Sequence, residues 1–154
     1  MIEVKEQIDV PSDPLSVWEV LSNPHAVVEC VPGASLGELR EDGYYDAGLL
    51  VTFGPARITF KLRFMLELDE PTLSGTVISR GKDNQGGTRV RATMKFRVAN
   101  AEAHAGSSIF IESGVDISGR LSTLVRSGAK RVVGRTTREF ADLLAARLAG
   151  ATVA

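Results

Sequence analysis

Acid–base, nucleophilic or metal chemistry needs histidines, cysteines or carboxylates that the fold can bring together, and this chain has only two histidines and one cysteine. His25 follows the capping residue Pro24 at the start of a short helix and reads as solvated, while His104 stands beside a predicted turn. Neither has a second His, Cys or carboxylate at ligand spacing, so no zinc or other metal site is expected. Cys30 lacks the partners of a nucleophilic dyad and reads as a buried structural thiol. No glycine-rich loop follows a strand and opens a helix, as a nucleotide site requires. Tyr45 and Ser113 are the polar side chains that strand parity could turn inward, joined by Glu112 or Asp116 if the last strand is bulged. An enzyme would need one of these within hydrogen-bond reach of a substrate. The apolar strand faces carry no ionisable cluster. The expected chemistry is therefore that of a wall solvating hydrocarbon, with one or two polar groups to orient a ligand and no catalytic residues.

Composition narrows the setting. The chain has 154 residues, 44% hydrophobic and 24% charged, with a net charge of −1. That is enough to bury a core and argues against disorder. Its start lacks the basic and apolar regions of a secretory signal, and no apolar run approaches the roughly 20 residues that span a bilayer. One cysteine suits a reducing compartment, so the expected location is the cytoplasm. Charge is unevenly placed: from Arg120 onward there are seven basic residues (Arg120, Arg126, Lys130, Arg131, Arg135, Arg138, Arg147) against Glu139 and Asp142. Such a segment is either a solvated helix face or a surface for peripheral contact with anionic lipid or an acidic protein. Lys61, Arg63, Arg89, Arg91, Lys95 and Arg97 share strand parity without aromatic stacking residues, which reads as a solubilising face that discourages edge pairing and not as a nucleic-acid site.

The elements that would position these residues can be read from period and punctuation. Ile2 to Val10 alternates with one imperfect step and stops at Pro11. Asp13-Pro14 and Asn23-Pro24 each pair an N-cap with a first-turn proline, predicting two short helices, the second running from His25 to Cys30 and ending at Pro32-Gly33. Strands follow at Leu36–Arg40, Tyr44–Phe53, Arg57–Leu68, Thr72–Arg80, Val90–Val98 and Ser108–Ile117, with a polar loop from Gly81 to Gly87. Their period of two, one face apolar and the other polar, is that of an antiparallel sheet packed on one side. Leu121, Leu124, Val125, Val132, Thr136, Phe140, Leu143 and Leu144 recur at helical spacing within Leu121–Leu148 and supply the cover.

The predicted fold is α+β: a helix grip in which a seven-stranded curved antiparallel sheet wraps a long C-terminal helix, with two short helices after the first strand. The whole chain, 1–154, reads as one ligand-binding domain. The apolar cavity would be walled by Phe60, Leu62, Phe64, Met94, Phe96, Ile109 and Ile111 and closed by Leu124, Gly128, Val132 and Phe140. Gly128 on the helix stripe and Gly48 and Gly75 in strands either leave room for a ligand or mark bends and close approaches. Trp18 either touches that ligand or packs the short helices onto the sheet rim.

The stretch from Pro14 to Gly33, with Val17-Trp18, Leu21, Pro24 and then Cys30-Val31-Pro32-Gly33, resembles the corresponding stretch of the CoxG family of carbon monoxide dehydrogenase subunits. Tyr45, Phe53-Gly54-Pro55 and the Thr123–Leu144 helix with Phe140 follow that family's order. The resemblance covers essentially the whole chain and places it in the START-like, polyketide cyclase-like (SRPBCC) superfamily. It implies a non-catalytic accessory protein that holds a quinone or lipid-like molecule and recruits molybdenum-containing oxidoreductases to the cytoplasmic membrane. No intrinsic cofactor is implied. Cyclases and aromatases on the same fold leave an enzyme as the alternative.

Overall fold

The structure, a computed structural model, describes residues 1–85, 87–102 and 105–153, with side chains described as far as residue 150. His104 and the loop residue Gly86 lie outside the described residues. The chain runs β1 (Ile2–Val10), α1 (Pro14–Leu21), α2 (Pro24–Glu29), β2 (Ala34–Leu39), β3 (Tyr45–Phe53), β4 (Ala56–Asp69), a single 3-10 turn at Glu70–Thr72, β5 (Ser74–Asp83), β6 (Thr88–Asn100), β7 (Ser107–Gly119) and α3 (Ser122–Val153). The seven strands form one sheet in the order β1-β7-β6-β5-β4-β3-β2, antiparallel throughout. It is the helix-grip architecture that the one-sided strands predict.

Local chemistry explains the helix starts. The Asp13 carboxylate accepts from the Ser16 N–H at 3.2 Å and from the Ser16 hydroxyl at 2.6 Å, which holds its own pKa below the ordinary range. Asn23 Oδ1 accepts from the His25 N–H at 3.1 Å. Pro14 and Pro24 occupy first-turn positions where a missing donor costs nothing.

Element ends shift by a few residues, and the end of β5 and the buried stripe of α3 depart most from expectation. β5 continues through Gly81, Lys82 and Asp83, which the sequence reading assigns to a polar loop. Gly81 admits the Leu62 side chain and pairs with Val90, while Asp83 turns inward and is only 3% exposed, so the polar residues here complete a strand. On α3 the buried stripe is Val125, Ala129, Leu144 and Leu148; Leu124 is 37% and Leu143 42% exposed. One helix face about 100° wide cannot bury Leu124 beside Val125 or Leu143 beside Leu144.

The core is split. One cluster gathers Ile8, Val10, Val17, Trp18, Leu21, Phe96, Val98 and Ile109 under Leu144 and Leu148 of α3. The other gathers Val51, Phe53, Ile58, Phe60 and Ile117 under Val125. α3 is thus anchored near both ends. From 130 to 143 none of its residues is fully buried, a span of roughly 20 Å at 1.5 Å per residue.

Candidate functional site

Between the two clusters the helix-facing side of the sheet carries two cross-strand rows. Tyr45, Phe64, Ser79, Ala92, Val115 and Ile2 stand opposite one another across β3, β4, β5, β6, β7 and β1. Leu66, Val77, Met94, Ser113 and Val4 form the next row. Tyr45, Phe64, Ser79, Ala92, Met94, Ser113 and Val4 belong to neither core cluster. Met94 remains 39% exposed although its face of the sheet looks toward the helix. Small side chains stand here: Ser79, Ala92 and Ser113 sit in the middle of the sheet, where the rows on either side carry Phe60, Leu62, Phe96 and Ile109. Tyr45 stacks on Phe64 with ring centroids 5.2 Å apart, which turns an aromatic wall toward the gap.

Besides Asp83 at the end of β5, a charged side chain of β1 reaches this side of the sheet. β1 alternates without a slip, so Glu6 stands on the same face as Val4 and Ile8, half-buried and opposite Ile111. A Cβ placed on Gly134 of α3 would lie 3.8 Å from Glu6 Oε1 and 3.6 Å from Arg138 Nη1. A carboxylate, a guanidinium and a bare stretch of helix backbone therefore meet over β1. The sequence reading finds no ionisable cluster on the apolar faces and does not name Glu6, which strict parity from Ile2 to Val10 would have placed there. Ser113 does face inward, whereas Glu112 and Asp116 do not: β7 pairs with β6 without a bulge, and Glu112 lies on the outer face 3.7 Å from Lys5.

The residues named from sequence as cavity walls are distributed around this gap. Phe60, Leu62 and Val132 belong to or pack on the α3 N-terminal cluster. Phe96, Ile109, Ile111 and Phe140 belong to or pack on the other. Phe64 and Met94 lie between the two, and Leu124 points largely into solvent. The glycines serve close packing. The Phe53 ring comes within 2.9 Å of where a Gly128 Cβ would be, and the Phe96 ring within 2.6 Å of one on Gly75. Gly48 is on the outer face against Ser35 and adds nothing to the interior. Trp18, 6% exposed, tilts against Phe96 at 6.1 Å and so packs α1 onto the sheet.

Polar groups elsewhere are structural in their contacts. Burial pushes the Cys30 thiol up, away from the thiolate a nucleophile needs. Burial also pushes the Asp83 carboxyl up, but N–H groups of Gly87 and Gln85 and the Thr88 hydroxyl outweigh it and hold the group below the ordinary carboxylate range. That turn is tied to the head of α3: the Arg120 N–H donates to Gly87 O at 2.8 Å and the Leu121 N–H to Thr88 Oγ1 at 2.9 Å. Among the described residues no three His, Cys, Asp or Glu side chains gather as a metal site would require.

The profile of CoxG, the G-type member among carbon monoxide dehydrogenase subunits, matches residues 6–150 of this chain. The chain belongs to the CoxG family. Its CoxG match runs from Glu6 through nearly all of α3, so both helix anchors and all of the two rows but Ile2 and Val4 lie within it. Among solved structures it is similar to a conserved protein from Geobacillus kaustophilus, with 15% identity, a TM-score of 0.82 and coverage of 97% of this chain and 96% of that one. It is also similar to the Zhui aromatase/cyclase from Streptomyces sp. R1128, at 16% identity and TM-score 0.62, covering 96% and 93% of the two chains. The di-domain aromatase/cyclase StfQ of the steffimycin pathway matches at 11% identity and TM-score 0.55, over 94% of this chain and 44% of that one. At these identities the likeness is one of fold: this chain shares the helix-grip architecture with the cyclases. No curated protein matches the chain significantly.

Proposed function

We propose that this CoxG-family chain is a non-catalytic accessory protein that holds a hydrophobic, quinone- or lipid-like molecule between its sheet and α3. The observation that supports this reading is the interrupted core: α3 is packed at both ends, while Phe64, Ala92 and Met94, on the sheet face turned to its middle, belong to neither packed cluster and none is fully buried. A largely apolar space with a few polar groups, here Tyr45, Ser79, Ser113 and Glu6, suits an amphiphile with one polar head. The reading extends to a role in docking a molybdenum-containing oxidoreductase at a membrane, with peripheral contact through the exposed cations Arg126, Lys130, Arg131 and Arg147 of α3. No helix of the described chain is long and apolar enough to cross a membrane.

The test is organic-extract mass spectrometry of protein purified from a quinone-producing host, beside the double variant Ala92→Phe, Ser113→Phe. The expected outcome is a quinone or lipid at near-stoichiometric amount in the parent and at least about tenfold less in the variant, whose thermal melt stays cooperative because the new rings occupy an unfilled gap. A parent that carries no lipid or quinone and binds none on titration sinks the proposal.

A second reading, an enzyme of the cyclase or aromatase kind, draws on the fold shared with Zhui and on the half-buried Glu6 beside Arg138. It requires substrate turnover that Glu6→Gln abolishes while ligand binding persists.

A further inference from the structure

The face of the sheet turned away from α3 carries a second site. Arg63, Arg80 and Arg91 stand directly opposite one another on β4, β5 and β6, and two residues along, Lys61, Lys82 and Arg89 do the same. Six cations therefore occupy a grid with about 4.8 Å between strands and about 6.8 Å between rows. They line a groove of about 1010 Å³, in a chain whose net charge is −1.

Like charges directly opposite on a sheet repel, and a purely solubilising face would intersperse carboxylates among them. Here the compensation is confined to the margins. At the β3 end Asp46 accepts from Arg40 Nε at 2.6 Å and from Arg63 Nε at 3.4 Å, which pulls its pKa down. At the β7 end Asp116, opposite Arg91, pairs with the Met1 ammonium at 3.7 Å. Arg80 rests over the Tyr44 ring at 5.5 Å. Lys61, Lys82, Arg89 and Arg91 have no carboxylate at ion-pairing distance among the described residues. Four unpaired cations thus crowd the floor of one recess.

We infer that this groove binds an acidic, extended segment of a partner protein. Side chains on one side of an extended peptide recur about every 6.8 Å, which matches the separation of the two cation rows. A bilayer is flat and meets the floor of a recess poorly. Beyond Asp116, Glu112, Glu3 and Asp9 also lie on this face and would repel an anionic lipid surface. Single-stranded nucleic acid would need aromatic platforms, and the Tyr44 and Phe110 rings on this face are already covered by Arg80 and Arg97. The groove lies on the opposite side of the sheet from the apolar gap, so this inference stands or falls independently of the ligand proposed above.

The experiment is fluorescence anisotropy of a labelled peptide of alternating Glu and Thr titrated with the full chain, at about 50 and 200 mM salt. Expected is saturable binding that weakens with salt and falls at least about tenfold in Lys82→Glu/Arg91→Glu, while Lys5→Glu/Arg57→Glu, an equal charge change at exposed strand positions outside the groove, binds within about twofold of the parent. The neutral pair Lys82→Gln/Arg91→Gln, expected to lie between, serves if the reversed pair melts early. Absence of saturable binding at the lower salt, or equal loss in the Lys5→Glu/Arg57→Glu control, overturns the inference. So does tighter binding to phosphatidylglycerol vesicles or to oligothymidylate than to the peptide, which would reassign the groove to a membrane or to nucleic acid.

Discussion

At the scale of single residues the interior is decided by atoms that are missing. Gly75 has no Cβ because the Phe96 ring occupies its place, and Phe96 in turn seats Trp18. Gly75→Ala is expected to destabilise the fold by about 1–3 kcal/mol in urea unfolding, whereas Gly150→Ala, with nothing within 4 Å, stays neutral or gains up to about 1 kcal/mol of helix propensity. Asp83 makes a pH prediction. Its folded pKa lies below the unfolded value, so its contribution is fully present above about pH 4 and is lost as pH falls through the depressed folded value. Asp83→Asn removes that dependence. The gap between parent and variant urea midpoints is then widest near neutrality and closes as pH falls through the depressed folded value. Glu6 shows how far single letters can mislead: a glutamate in an otherwise apolar row looks like a slip in the pattern, when the pattern is intact and the residue is the exception.

At the scale of elements, α3 is held at two points and bridges the space between them. Leu144, 0% exposed, anchors one end, and Leu144→Ala is expected to cost about 2–5 kcal/mol, against less than about 1 kcal/mol for the half-solvated neighbour Leu143. Hydrogen exchange should follow the same division. Amides of residues 133–139 are expected to slow when the apolar gap is loaded, while those around Val125 and Leu144 change little; uniform slowing would contradict a gap confined to the middle. The helix, its length and its side of the sheet were legible from spacing, and so were the strands, because a sheet covered on one side alternates strictly. The stripe was read too broadly at Leu124 and Leu143, which stand about 100° round the helix from the buried Val125 and Leu144 and lie at the edge of the covered face. The end of β5 was lost because glycine, lysine and aspartate are weak strand formers whose places here depend on Leu62 and on the turn at residue 87.

At the scale of the whole molecule, one sheet turns an apolar gap to α3 and a cationic groove to the outside, with β4, β5 and β6 contributing to both. The architecture was legible because element order and parity admit few arrangements. The gap was not, since whether Phe64 and Met94 are covered depends on how far α3 stands from the sheet, a distance that no local pattern records. The sheet also places the first strand beside the last: β1 pairs with β7 along its whole length, and the Ser108 hydroxyl donates to Asp9 Oδ1 at 2.6 Å. During synthesis β1 is complete at residue 10, whereas β7 begins at residue 107. At about 5–20 residues per second the nascent strand waits on the order of 5–20 s for its only partner in the sheet. Through that wait Glu3, Lys5, Glu6, Gln7 and Asp9 keep an unpaired edge soluble on the ribosome, so the glutamate that interrupts the apolar row also guards the chain before any interior exists.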